Sequence, residues 1–532
     1  MTKYAREKCI SVLPYVLLGV VLLGLIFANI LWGDHFLDSD MAAEMIFSKL
    51  VASEGGWIAS ENWYYSTEFR IVYTQLIMVP LFHIFESWRV IRIITNVITY
   101  LLLLGSYFFM MKPLECKTRT VAYSAVILLL PFSETLVTHM HFGNTYMFHV
   151  ILLFFCFGLY LRLAKQGSSS WMGKLWLAWY IIVCLLCGMS GVRYVLALQA
   201  PVVLTSAIYL MRSKAWGELR VRLDKPRIIG VWQEQRTKYL LYAILGLFIS
   251  VLGYLGNVVF IAKNYVFQTY EATNFIPVFQ GVLLERIQNV IGNLLLLFGY
   301  ISNKGFLSVR GMISLIAFAF LIGLVMLARR CNKLLQDDAH FMLLFFEVAF
   351  VLNTFVFVFT TSTMSERYYI TVFVFAVPLL ALYFEKESYR LDKFLVMTFL
   401  VGALLLTTSK SIFSLASNDK NAELRDAVAF LQEEGYDFGY ATYWNGNIMT
   451  ELSNGELGVA QIAELADMSF FRWSSPIGYY EEGYHQGKCF LILTRDEYED
   501  YKEHPCIMAG QAVYQDIKYV IFHYDNGEEY FG

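Results

Sequence analysis

Three acids stand close together directly after the first apolar run of the chain. They are Asp38, Asp40 and Glu44, in the stretch Asp34-His35-Phe36-Leu37-Asp38-Ser39-Asp40-Met41-Ala42-Ala43-Glu44. A carboxylate near a membrane surface can take a proton from an attacking hydroxyl, and several carboxylates together can hold a divalent cation. The same pattern has a structural explanation. An Asp or Ser at the start of a helix accepts bonds from the free N–H groups of its first turn. Capping accounts for one acid or for the hydroxyl of Ser39. It does not account for a second acid and for Glu44 one turn further on, so the cluster is expected to have a catalytic or metal-binding role.

Other polar residues carry weaker signals. Arg193 follows Gly188-Met-Ser-Gly191 at a turn between two apolar runs. It has the chemistry to bind phosphate, and a solvated turn arginine has the same signature. His139 and His141 have no identifiable third ligand, so no metal is assigned to them. Glu271 and Glu285 read as solvated loop acids. Trp57, Trp63, Tyr64 and Tyr65 read first as interface aromatics, with stacking on a sugar as the second reading. Cys184 and Cys187 have CxxC spacing inside an apolar run but no second pair, which favours small buried hydrophobes.

The elements that must position these residues are membrane spans. Of 532 residues, 57% are hydrophobic, 17% aromatic and only 16% charged. Soluble domains devote roughly a quarter of their residues to charge. Runs of about 20 apolar residues recur along the chain. The net charge of −3 gives no reason to expect a nucleic-acid partner, which requires excess Lys and Arg.

The positive-inside rule sets the register. Lys3, Arg6 and Lys8 precede the run Ile10 to Trp32, which reads as a retained first helix with a cytoplasmic N-terminus. Ile71 to Phe85 is short and interrupted by Gln75, Pro80 and His83. Reading it as a membrane-lying segment keeps Lys112, Lys117 and Arg119 inside. Residues 33–90 then form a first external loop with interface-lying helices, and residues 263–309 a second, containing another membrane-lying helix over 285–302. The remaining spans are expected near 93–111, 119–136, 144–163, 174–190, 193–211, 239–262, 311–328, 340–361, 368–384 and 393–409, which makes about eleven. Residues 1–410 are thus expected to form a helical membrane domain. Residues 411–532 are expected to form a small external α/β domain, with a helix from Asn421 to Glu434 and strands at 436–443, 489–494 and 518–524. Pairing of Cys489 with Cys506 is left open.

The ordered motifs resemble the GT-C class of polytopic glycosyltransferases, which use polyprenyl-phosphate-linked sugars. The likeness is greatest to bacterial relatives of the protein O-mannosyltransferases and to lipid A aminoarabinose transferases. The first external loop of that class opens with an acidic motif and small residues, as in Asp38-Ser-Asp40-Met-Ala-Ala-Glu44 running into Phe47 to Gly56. Glu68-Phe-Arg70, Pro80 to Phe85 and Arg92-Ile-Ile-Thr-Asn96 are similar to the interface helices and the Arg-led second span. Ser365-Glu366-Arg367-Tyr368-Tyr369 is similar to a late Arg-Tyr pair at the outer start of a span. One departure stands out: the acids here are two apart, where the class has an adjacent Asp-Glu.

The resemblance implies a glycosyltransferase moving a hexose or pentose from a polyprenyl phosphate to a glycan, lipid or protein acceptor outside the cytoplasmic membrane. Asp40 is the expected general base, with Asp38 second. Arg367 is the expected partner of the lipid phosphate, with Glu44, Arg70, Arg193 and Tyr368 as further substrate contacts. No cofactor is certain, and the acid pair leaves a divalent metal open. The competing readings are a transporter or flippase of lipid-linked glycans, and a polysaccharide polymerase. A transporter would show internal symmetry and midplane charges, which this sequence lacks.

Overall fold

The computed structural model describes residues 3–66, 69–221, 225–268, 274–276, 281–301 and 307–531. Glu68 and Glu271 fall outside these residues. Among the described residues, nine helices are long and apolar enough to cross a bilayer, and two bent pairs raise the number to eleven if each is one span. The chain is a multi-pass membrane protein.

The single span expected over 119–136 is in fact broken. Helix Thr118–Leu129 turns by 94° into Glu134–Phe142. Pro131 lacks the N–H that would continue the first helix, and Ser133 starts the second by accepting from Leu136 N at 3.3 Å. The expected span over 193–211 is likewise followed by a 72° bend into Lys214–Arg220. Two apolar segments are too short to cross. Helix Gln75–Phe82 has 8 residues and helix Leu283–Leu297 has 15. At 1.5 Å per residue they reach about 12 and 22 Å, short of the roughly 30 Å hydrocarbon core.

The basic clusters that the charge rule places inside meet at one end of the bundle. Lys117 pairs with Glu385 at 2.9 Å, and Lys165 with Glu115 at 3.0 Å and Asp338 at 2.9 Å. Arg330 bonds both Glu387 and Asp392 at 2.7 Å. Helix Trp88–Met111, with 24 residues, separates this end from the acid motif. It spans about 36 Å.

Nine strands lie among the described residues. They are β1 (Trp63–Tyr65), β2 (Val266–Phe267), β3 (Phe438–Thr442), β4 (Gly458–Glu464), β5 (Ser469–Phe470), β6 (Ser475–Pro476), β7 (Cys489–Thr494), β8 (Gln511–Gln515) and β9 (Tyr519–Tyr524). Six of them form one sheet in the order β5-β4-β3-β7-β9-β8. Strand β3 runs parallel to β4 and β7, and the outer pairings are antiparallel. Helix Tyr443–Leu452 makes the crossover from β3 to β4. Helix Ala422–Glu433 packs with it on one face of the sheet through Leu424, Val428, Leu431 and Met449. Cys489 and Cys506 are separate free thiols.

The other three strands join distant parts of the chain. Strand β1 from the first loop pairs with β2 from the second loop, Tyr64 opposite Val266. Its other edge pairs with β6, Trp63 opposite Pro476. The second loop also bridges Phe275 to Thr360, just ahead of the Arg367 motif.

The sheet-bearing region docks on the start of the second span. Asn454 Oδ1 accepts from Trp88 N at 2.8 Å. Gly455, at φ +83°, lies flat against the Trp88 ring, where a Cβ would collide. Beside this turn, Arg92 and Glu451 form a two-pronged ion pair at 2.5 and 2.6 Å, with side chains only 5% and 6% exposed. Removing one partner strands a buried charge. Arg92→Ala should therefore cost about 3–5 kcal/mol, read as a fall in the thermal midpoint of the detergent-solubilised protein. Joint replacement of Arg92 and Glu451 by Met should recover most of it. A midpoint unchanged by Arg92→Ala would show that the pair does not hold the docked region.

Candidate active site

The first loop starts helix Ser39–Ser53, and Asp38 is its cap. The Asp38 backbone is extended at φ −120°, and its Oδ1 accepts from Met41 N at 2.9 Å. Burial first, and repulsion from Asp40 second, push the Asp38 carboxyl up to about 6. Asp38 is not on the wall of the large cavity that the next turn faces. That cavity has a volume of about 1850 Å³ and is lined by Asp40, Glu44, Arg70, Tyr73, Arg193, Arg367, Tyr368 and Tyr443, among others.

Asp40 meets two groups from remote segments. Tyr443 Oη donates to Oδ1 at 2.5 Å. Arg367 Nη1 lies 3.6 Å from Oδ2, and both side chains keep about a third of their surface open, 34% for Arg367 and 38% for Asp40. Arg367 Nε is buried with no hydrogen-bond acceptor among the described residues. Its guanidinium also lies 5.7 Å from the ring centre of Tyr368, which stacks on Phe357.

Glu44, one turn along the same helix face, is enclosed. Tyr73 Oη donates to Oε1 at 2.5 Å and Thr74 Oγ1 to Oε2 at 3.0 Å. Arg70 Nη1 stands 3.5 Å from Oε1, and the Glu44 side chain is 11% exposed. Burial outweighs these partners and raises the Glu44 carboxyl to about 7. Arg70 also lies over the Tyr73 ring at 4.5 Å.

Arg193 comes to the same cavity from the turn after helix Trp171–Met189. It lies over the Tyr146 ring at 5.3 Å, and its Nη1 is 3.2 Å from His149 Nε2. An arginine only donates, so His149 Nε2 accepts and His149 Nδ1–H donates to Tyr194 Oη at 2.7 Å. The tautomer of His149 is thereby fixed.

The structure therefore brings Asp40, Glu44, Arg70, Arg193, Arg367 and Tyr368 to one cavity and leaves Asp38 as a cap. His139 and His141 bond instead to Thr145 and to the carbonyls of Leu136 and Leu128. Among the described residues no three His, Cys, Asp or Glu side chains gather as a metal-holding group. Tyr73 and Thr74 come from the short segment after Arg70, and Tyr443 from the end of β3. The sequence carries no motif for these three. A hydroxyl at the junction of a strand and a helix was the one available signal for Tyr443.

The elevated Glu44 carboxyl has a consequence for stability. A folded acid that holds its proton above the unfolded value of 4.5 binds more protons than the unfolded chain up to about pH 7. Stability linked to Glu44 is therefore full below pH 4.5 and lost as pH rises through 7. The Glu44→Gln variant should lack this slope, with a difference of about 3 kcal/mol across the window. Thermal midpoints of both proteins between pH 4.5 and 8 check it. Parallel curves would show that Glu44 is ionised throughout.

No protein-family model and no curated protein matches the sequence. Solved structures do match it. ArnT from Cupriavidus metallidurans in the apo state is similar with a TM-score of 0.58 and 11% identity, over 96% of this chain and 97% of that one. The same protein bound to undecaprenyl phosphate gives 0.56 and 12%, over 96% and 98%. The archaeal oligosaccharyltransferase AglB from Archaeoglobus fulgidus, in complex with an inhibitory peptide and a dolichol-phosphate, gives 0.46 and 11%, over 89% and 69%. The chain has the ArnT fold, a bundle of membrane helices followed by an α/β region at its C-terminal end.

Proposed function

We propose that the protein is a glycosyltransferase that moves a sugar from a polyprenyl phosphate to an acceptor on the external side of the cytoplasmic membrane. In this reading residues 1–410 are the membrane domain and 411–532 an external domain. The observation that carries it is the placement of Asp40 beside Arg367, 3.6 Å apart, on the wall of one large cavity. The fold adds support, since ArnT of the same fold has been captured with undecaprenyl phosphate.

The chemistry follows from the two charges. An acceptor hydroxyl oxygen attacks the anomeric carbon of the donor, and its proton goes to the Asp40 carboxylate. The bond from the anomeric carbon to the phosphate oxygen breaks, and the electron pair leaves with the lipid phosphate. The added negative charge on that phosphate is met by the Arg367 guanidinium, whose Nε has capacity for another anionic oxygen. Arg70 and Arg193 add positive charge on the same cavity wall. Tyr443 holds Asp40 in place by donating to the oxygen that does not face Arg367. Asp38, committed to the helix cap, serves as support in this mechanism.

Transfer of labelled sugar from a polyprenyl phosphate in vesicles tests the assignment. Asp40→Asn should keep fold and donor binding and lower transfer by about a hundredfold or more. Arg367→Ala should weaken donor binding as well as rate, because phosphate is present in both ground and transition states. Asp38→Asn should act through stability alone. Wild-type transfer by Asp40→Asn would overturn the assignment of the base.

A further inference from the structure

Strands β3, β4 and β7 run parallel in the order β4-β3-β7. The chain leaves β3 for β4 on one side and later returns to β7 on the other. In open α/β sheets, the crevice outside the carboxyl ends of the strands at such a switch point is where ligands bind. Here that crevice opens into the cavity that holds Asp40. Thr442, Glu464 and Thr494, the last residues of the three strands, all line it.

A run of aromatic rings leads into the crevice from the Asp40 carboxylate. Tyr443, the donor to Asp40, meets Trp444 at 5.1 Å and Phe471 at 5.4 Å, edge to face in both cases. Phe471 stacks on Trp473 at 5.8 Å and 14°. Trp444 is 65% exposed on the wall of the cavity, where its ring face is open to a ligand. Glu464 is exposed at the end of β4, and its carboxylate has no hydrogen-bond or ion-pair partner among the described residues.

We propose that this crevice is a carbohydrate subsite, which holds a neutral or amino-bearing sugar ring of the acceptor. The proposal rests on the transferase reading above and names its acceptor class. A pyranose has one face of C–H groups with slight positive charge, which suits the negative face of an aromatic ring. Its edge carries hydroxyls that need acceptors, and Glu464 supplies one. The charge pattern separates the two substrates. The guanidiniums of Arg70, Arg193 and Arg367 come from the first loop, a turn between spans and the start of a late span, away from the strand ends in the chain, and they suit a lipid phosphate. The crevice side offers carboxylate and aromatic faces, which repel phosphate and suit a sugar without one.

The test uses the full chain in nanodiscs, titrated with maltotriose, cellotriose and chitotriose and followed by saturation-transfer NMR. At least one trisaccharide should bind. Trp444→Ala, which removes an exposed side chain and should leave the core intact, should weaken that binding by about tenfold. Trp444→Phe should retain most of it, and Glu464→Gln should weaken it several-fold. Failure of all three sugars to bind, or equal binding by wild type and Trp444→Ala, would overturn the subsite. Sugar transfer measured in parallel separates the two claims. Transfer at equal acceptor KM in wild type and Trp444→Ala would overturn the subsite and leave the transferase reading. Trisaccharide binding that depends on Trp444, with no transfer by the wild type, would overturn the transferase reading and leave the subsite.

Discussion

A single guanidinium holds both halves of the site in register. Arg92, at the start of the second span, grips Glu451 with two nitrogens and also donates to the carbonyl of Met41 at 3.0 Å. Met41 is the residue after Asp40. Glu451 sits at the far end of the helix whose first residue, Tyr443, bonds the Asp40 carboxylate. The same charge thus anchors the backbone that carries Asp40 and the helix that presents its hydroxyl partner. A buried pair is costly to desolvate, and its stabilising value against an apolar core is small. Its use here is geometric: two charges that must meet allow one docking position.

The two carboxylates of the first-loop helix have been given different surroundings. Glu44 is walled in by Tyr73, Thr74 and Arg70, and burial keeps its proton on up to about pH 7. Asp40 keeps over a third of its side-chain surface open to the cavity and has one hydroxyl and one guanidinium beside it. Two acids one turn apart are thereby separated into an enclosed group and an accessible one. A base for an incoming hydroxyl must be reachable, which favours Asp40. Glu44 ties the helix to Arg70 and the segment after it, and so fixes the wall opposite.

The spans were legible because the hydrocarbon core imposes a length and the charge rule imposes a register. Eleven apolar runs could be read, and the helices follow them closely from Lys3–Trp32 to Arg390–Ser417. What hydropathy could not show is that one run is broken and another turns sharply at its end. The kink after Leu129 depends on Pro131 and the Ser133 cap, which a window average hides. In the C-terminal region the strands with continuous apolar runs, β7 and β9, were visible, and so was the helix Ala422–Glu433. Strands β4 and β8 were not, because β4 is interrupted by Gln461 and β8 lies exposed at the sheet edge. The site was legible as far as its charges. The acids, Arg193 and the Arg-Tyr pair stand at ends of apolar runs, where charge is conspicuous. The hydroxyls of Tyr73, Thr74 and Tyr443 are not conspicuous in a chain with 35 tyrosines. Their role comes from tertiary placement alone.

That placement joins the membrane bundle and the region that follows it around one cavity. The cavity wall draws on the first loop, the turn at Arg193, the Arg367 motif and the ends of β3, β4 and β7. The small sheet β2-β1-β6 stitches the two loops to the last of these regions, so its backbone bonds link the walls directly. Helices alone could bring arginines to a lipid phosphate at the bilayer edge. The opposite, concave wall is built with the ends of β3, β4 and β7. A sheet with a switch point supplies such a face, and its strand ends point at the bundle. In the proposed reaction one substrate arrives from the lipid and the other from water. The three arginines and the aromatic crevice on the sheet side give each substrate a wall suited to its chemistry, with Asp40 where the two walls meet.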